Sequence, residues 1–188
     1  LDMYLKDRLQ REMSEMLQDY PGIVILVSHN RDEVYRFCED LAVIDRGRIA
    51  VFGKTKEIFA NPVSREAARL TGCKNFSRLQ RIDSHRGAAL DWGVDLHVEG
   101  EIPEYAKWIG YRAHDFVPLW GKKAGENRLR AEIVGQAELP FERNYYIRGR
   151  KDNEAICWFV QRENMALLET RGMPDYLGLE EEKMLFLK

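Results

Sequence analysis

The chain has 188 residues, 45% of them hydrophobic, which is enough for one large or two small domains with a real core. Lys and Arg (29) nearly balance Asp and Glu (31), a formal net charge of −2, so nothing in the composition predicts an electrostatic grip on nucleic acid. Cys38, Cys73 and Cys157 are widely spaced and form no CxxC pair, which implies free thiols and no metal site, and the longest apolar run, IVILV, is far short of the roughly 20 residues that span a bilayer.

Taken in order, the chain opens inside a helical stretch, LDMYLKDRLQREM, and reads as a chain whose beginning has been cut away. Leu5, Leu9, Met13, Met16, Leu17 and Tyr20 recur at helical spacing, so residues 3–19 are predicted to form an amphipathic helix, with Asp2 placed to cap it. The stretch PGIVILVSH predicts a break and then a strand at 23–27, apolar on both faces and therefore suited to the inside of a parallel sheet. Asn30 and Glu33 form a capping-box pattern, and Val34, Phe37, Cys38 and Leu41 continue it as a second helix. LAVIDRGRIAVFG predicts a hairpin turning at Arg46-Gly47, and KEIFANP a short helix stopped before Pro62.

From about Cys73 the texture changes to short β-rich runs separated by Gly, Pro, Asp and Asn, which predicts a small barrel or sandwich. All four tryptophans, Trp92, Trp108, Trp120 and Trp158, fall in this half and point to a core of its own, while RENMALLE is its one helical stretch. The boundary is placed within residues 71–76. Tyr145, Tyr146, Trp158 and Phe159 are expected to be core and cross-strand partners rather than a stacking platform, because no excess positive charge accompanies them.

His29 directly follows the predicted strand and directly precedes a helix N-terminus, the position where open α/β sheets bind ligands and where helix amides favour anions. A phosphate-facing histidine and a polar residue that merely closes a strand are both compatible with that position. Asp32 and Glu33 are a favourable first turn, with no chemistry assigned.

Residues 27–62, VSHNRDEVYRFCEDLAVIDRGRIAVFGKTKEIFANP, resemble the segment of ABC transporter ATPases that runs from the switch-histidine loop to the end of the nucleotide-binding domain. Leu1-Asp2 resembles the end of the family's Ser-Ala-Leu-Asp D-loop. The resemblance implies that His29 is the switch histidine at the γ-phosphate of ATP, and that Asp2 acts across a dimer of ATPase subunits or caps its helix, or both. The sequence contains no G-x-x-x-x-G-K-[ST] phosphate loop, so this chain is expected neither to bind nor to hydrolyse ATP, whereas the full-length protein is expected to do both with ATP and Mg2+.

Residues 74–188 are similar in position, size and strand texture to the TOBE-type domains, related to OB folds, that follow importer ATPase domains. TGCKNFSRL, LDWGVDL, IGYRAHDFVP and EEEKMLFLK resemble the variant found in molybdate- or sulfate-type importers. The implied fold is therefore the α/β C-terminal part of an ABC ATPase domain at 1–72, followed by an all-β OB/TOBE-like barrel at 73–188. Lys74, Asn75 and Ser77, with Arg112 and His114 as a second cationic spot, are candidate ligands for an oxyanion; the competing reading makes them linker and solvated strand residues.

The implied function is the ATP-binding subunit of an importer for molybdate or a related oxyanion, with polyamine, sugar or iron as alternative cargo and a regulatory or purely structural dimerisation module as the alternative class. Its implied partners are a second ATPase subunit and transmembrane permease subunits, at the cytoplasmic face of the membrane. Leaving the strand at 23–27 uncovered would expose side chains worth about 1.5–3 kcal/mol each when buried. Residues 1–70 are therefore expected to dimerise or to pack non-natively.

Overall fold

The computed structural model describes residues 3–18, 20–150 and 155–188. Helix α1 (Met3–Gln18) forms where the apolar spacing predicts it, yet Leu5, Leu9 and Met16 remain exposed. Beyond it, the predicted strand at 23–27 does not form. The segment carries neither helix nor ladder, and Ile23, Ile25 and Val27 are 91%, 84% and 92% exposed. The physical reason is that a strand is stabilised by its neighbours, and no described strand lies beside this one to take its N–H and C=O groups.

Helix α2 (Arg31–Phe37) begins where the capping pattern places it but ends before Leu41. Leu41 instead alternates with Val43 on the buried face of β1 (Asp40–Asp45), which pairs antiparallel with β2 (Arg48–Lys54) as the predicted hairpin. Arg46 and Gly47 have φ of 47° and 74°, the left-handed pair that a tight hairpin turn needs. The predicted short helix is α3 (Thr55–Ala60). A further helix, α4 (Arg65–Leu70), was not foreseen; Ser64 caps it by accepting from Ala67 N at 3.2 Å. Val34, Leu41, Val43, Ile58 and Ala67 form the small core of this region.

The remaining described strands all pair antiparallel. Strands β3 (Asn75–Arg81), β4 (Arg86–Ala89), β5 (Val94–His97) and β6 (Trp108–Tyr111) join the last strand in a five-stranded sheet. Between them in sequence come β7 (Val117–Leu119), β8 (Arg128–Arg130), β9 (Ile133–Glu138), β10 (Glu142–Ile147), β11 (Ile156–Gln161), α5 (Arg162–Arg171), β12 (Tyr176–Gly178) and finally β13 (Leu185–Leu187). The sheet orders are β13-β6-β3-β4-β5, β7-β12-β8 and β11-β10-β9. All three sheets contribute to one core containing Trp92, Ile109, Tyr111, Leu129, Tyr145, Ile147, Trp158 and Leu177. Tyr145 and Trp158 stand opposite each other on β10 and β11 with ring centroids 5.2 Å apart, so these two aromatics are packing residues.

Helix α4 is held against this β-rich part by Ala68 and Cys73 packed with Leu185 and Leu187, and by the Arg65 guanidinium 4.0 Å from the Trp108 ring centroid. Burial pushes the Cys73 thiol up to about 11, which makes it a small inert hydrophobe.

The uncovered segment has a measurable consequence for the 188-residue chain. Ile25→Lys combined with Val27→Lys is expected to change folding stability by no more than about 0.5 kcal/mol, because neither side chain is packed. The same pair is expected to reduce concentration-dependent self-association of the isolated chain, checked by sedimentation velocity over a concentration series.

Candidate functional site

His29 sits where the extended segment meets α2, and the turn that carries it is closely bonded. Asn30 is the N-cap, its Oδ1 accepting from Asp32 N at 3.0 Å and Glu33 N at 3.5 Å. The Glu33 carboxylate accepts from Ser28 Oγ at 2.9 Å and from Asn30 Nδ2 at 3.0 Å, and Asn30 N donates to Ser28 Oγ at 3.0 Å. The imidazole of His29 is exposed on this frame, at the rim of an apolar trough of about 1150 Å³ lined by Met13, Leu17, Val24, Leu26, Phe37 and Leu41, among others.

This arrangement presents one imidazole on a bonded turn. The first amides of α2, which would otherwise attract an anion, are already occupied by Asn30. The trough wall is mainly apolar, and among the described residues no cluster of three or more His, Cys, Asp or Glu could hold a metal ion. Asp2 lies outside the described residues.

Three of the oxyanion candidates, Asn75, Ser77 and Arg112, make hydrogen bonds inside the protein. Lys74 is exposed, with its Nζ 5.1 Å from the Phe159 ring centroid. Asn75 is buried, and its amide donates to Cys157 O at 2.8 Å and accepts from Cys157 N at 2.7 Å, so it links β3 to β11. Ser77 is fully buried; its hydroxyl donates to Arg78 O at 3.1 Å and accepts from Asp91 N at 2.8 Å. Arg112 donates to Thr71 O at 2.9 Å and to Phe59 O, so its fork caps the C-terminal ends of α4 and α3 at once. His114 Nε2 is 3.6 Å from Asp115 Oδ1.

Two roles were not legible in the sequence. The Asn75 clamp spans 82 positions and the Arg112 fork 41 and 53, separations at which no local spacing rule operates. For Glu33 the Asn30–Glu33 pattern is a genuine local signal, but it does not reveal that Ser28, on the other side of His29, ends on the same carboxylate.

No family model matches the chain. Among curated proteins it is 28% identical over 144 residues, 74% of the chain and 40% of the relative, to a molybdate/tungstate import ATP-binding protein of Pyrococcus abyssi. It is 27% identical over 193 aligned positions, 97% of the chain and 49% of the relative, to a spermidine/putrescine import ATP-binding protein of Thermobifida fusca. A sulfate/thiosulfate import ATP-binding protein of Chromobacterium violaceum is 26% identical over 137 residues, 71% of the chain and 37% of the relative. The chain thus spans half or less of the length of these relatives.

Proposed function

From its homology to ATP-binding subunits of ABC importers over most of its length, we propose that this chain is the C-terminal portion of such a subunit and serves ATP-driven import. Residues 1–72 would close the nucleotide-binding domain, and residues 73–188 would form an OB/TOBE-like regulatory domain. The single observation that carries the reading is the coincidence of two things. Import ATP-binding proteins align with 71–97% of the chain, and the segment resembling their switch loop presents an exposed histidine on a bonded turn.

In the intact subunit His29 would face the nucleotide, with ATP and Mg2+ held chiefly by residues other than those of this chain. Asp2 would act across a pair of subunits. The partners would be a second ATPase subunit and the transmembrane permease, with the chain peripheral on the cytoplasmic face; among the described residues no helix is long and apolar enough to cross a membrane.

The relatives import molybdate or tungstate, polyamines, and sulfate or thiosulfate, and our reading for this chain is molybdate or a related oxyanion. For the C-terminal part, the internal bonds of Asn75, Ser77 and Arg112 favour a structural role of those three residues over direct contact with an anion. His29→Ala in the intact subunit is expected to lower steady-state ATP turnover about 100-fold while leaving nucleotide affinity nearly unchanged, as for loss of one group aimed at developing charge. Turnover near wild type would remove the assignment.

A further inference from the structure

A helix cap needs only Asn30, whose Oδ1 already serves the amides of Asp32 and Glu33. The bond from Ser28 Oγ to Glu33 Oε2 satisfies no helix amide. It ties the residue before His29 to the first turn of α2, while Asn30 Nδ2 ties the residue after it to the other oxygen of the same carboxylate. Directly beneath, Val34 is 4% exposed in the small core with Leu41, Val43 and Ile58, so this turn of α2 is anchored to the body of the protein. Among the described residues no hydrogen bond holds the His29 imidazole itself, and its direction depends on the backbone at 28–30.

We propose that Glu33 is a positioning residue for His29, its carboxylate gripping Ser28 and Asn30 so that the exposed imidazole is presented in one direction. The proposal rests on the reading of His29 as the side chain that acts in ATP turnover. Its energetic basis is that a displacement of about 1 Å in a reacting group can cost on the order of 100-fold in rate, so a frame that holds both flanking residues acts on kcat rather than on binding. Removing the carboxylate frees Ser28 Oγ and Asn30 Nδ2 to turn to solvent, and the loop gains alternatives that the reaction does not use.

The test has two arms. In the intact ATP-binding subunit, Glu33→Ala is expected to lower kcat about tenfold or more with KM for ATP within about twofold, because orientation rather than affinity is lost. Glu33→Gln, which keeps one acceptor oxygen, is expected to fall between Glu33→Ala and wild type. Asp32→Ala, in the same helical turn, is expected to stay within about twofold of wild type, since its carboxylate touches Arg31 and not the loop.

In the 188-residue chain, 15N relaxation is expected to show lower order at residues 28–30 in Glu33→Ala, with the Val34 resonances of α2 retained. Wild-type kcat in Glu33→Ala while His29→Ala is inactive would overturn the positioning role and leave the reading of His29 intact. Wild-type turnover in His29→Ala would remove that reading and the catalytic proposal with it. Unchanged order at 28–30 in Glu33→Ala would overturn the grip itself.

Discussion

Asn75→Asp is expected to destabilise the β-rich part by about 3 kcal/mol or more, and Asn75→Ala by about 2–3 kcal/mol. Asn75 is 3% exposed, and its amide faces the backbone of Cys157 as a neighbouring strand would, donating to the carbonyl and accepting from the N–H. A side-chain amide does this because it carries a donor and an acceptor side by side. Alanine removes both bonds in a largely buried site. Aspartate is worse than alanine, since the oxygen replacing the amide nitrogen would face Cys157 O, acceptor against acceptor, with a charge that is costly to bury. Guanidinium unfolding of the three proteins, followed by the fluorescence of the buried Trp92 and Trp158, checks the order wild type, Ala, Asp. Asn75→Asp as stable as wild type would show that the clamp carries no weight.

Arg112→Met should cost about 2–3 kcal/mol, and Arg112→Lys nearly as much, because bonds from a charged donor contribute about 1.5–3 kcal/mol each and an ammonium does not reproduce a planar fork. The guanidinium leaves the end of β6 and reaches the carbonyls of Phe59 and Thr71, at the C-terminal ends of two helices whose dipoles favour a cation there. Methionine keeps the apolar stem and loses only the fork. For a chain of this length the expected fall in Tm is roughly 2–4 °C per kcal/mol, measurable by calorimetry. If the fork mainly ties α3 and α4 to the β-rich part, limited proteolysis should open first between residues 60 and 75. A variant with unchanged Tm and unchanged cleavage would assign Arg112 to solvent or to a ligand instead.

These two residues were among the candidates for anion binding. The chemistry that suggested that role, an amide beside a cation, is the same chemistry that joins strands and caps helices. Residue type alone does not separate the two uses, and the difference lies in which atoms the fold brings within 3 Å. Ser77 makes the same point: a hydroxyl on a β-rich segment reads as available, but both of its hydrogen-bonding functions are spent inside the protein.

The uncovered segment at 23–27 illustrates the opposite limit. Its composition signals a buried strand, but a strand is a relation between neighbours, and Ile23, Val24, Ile25 and Val27 lie exposed where no described strand pairs with them. Helix α2 stops early for a related reason. Leu41 continues the helical spacing of Val34 and Cys38, but pairing with Gly53 across the hairpin places it in the same small core from a strand instead.

Local physics was sufficient wherever the determining partners lie within a few residues. The amphipathic α1, the Asn30 cap, the left-handed turn at Arg46-Gly47 and the stop of α3 before Pro62 are all set by spacing, capping and backbone sterics that the sequence carries by itself. So is the position of His29 between an apolar run and a helix start. Tertiary structure alone decided whether the apolar run became a strand, and that Asn75 and Arg112 bond across the fold. Hydrogen bonds and packing are satisfied by whichever partner arrives in space, and for these groups that partner is chosen by the whole chain.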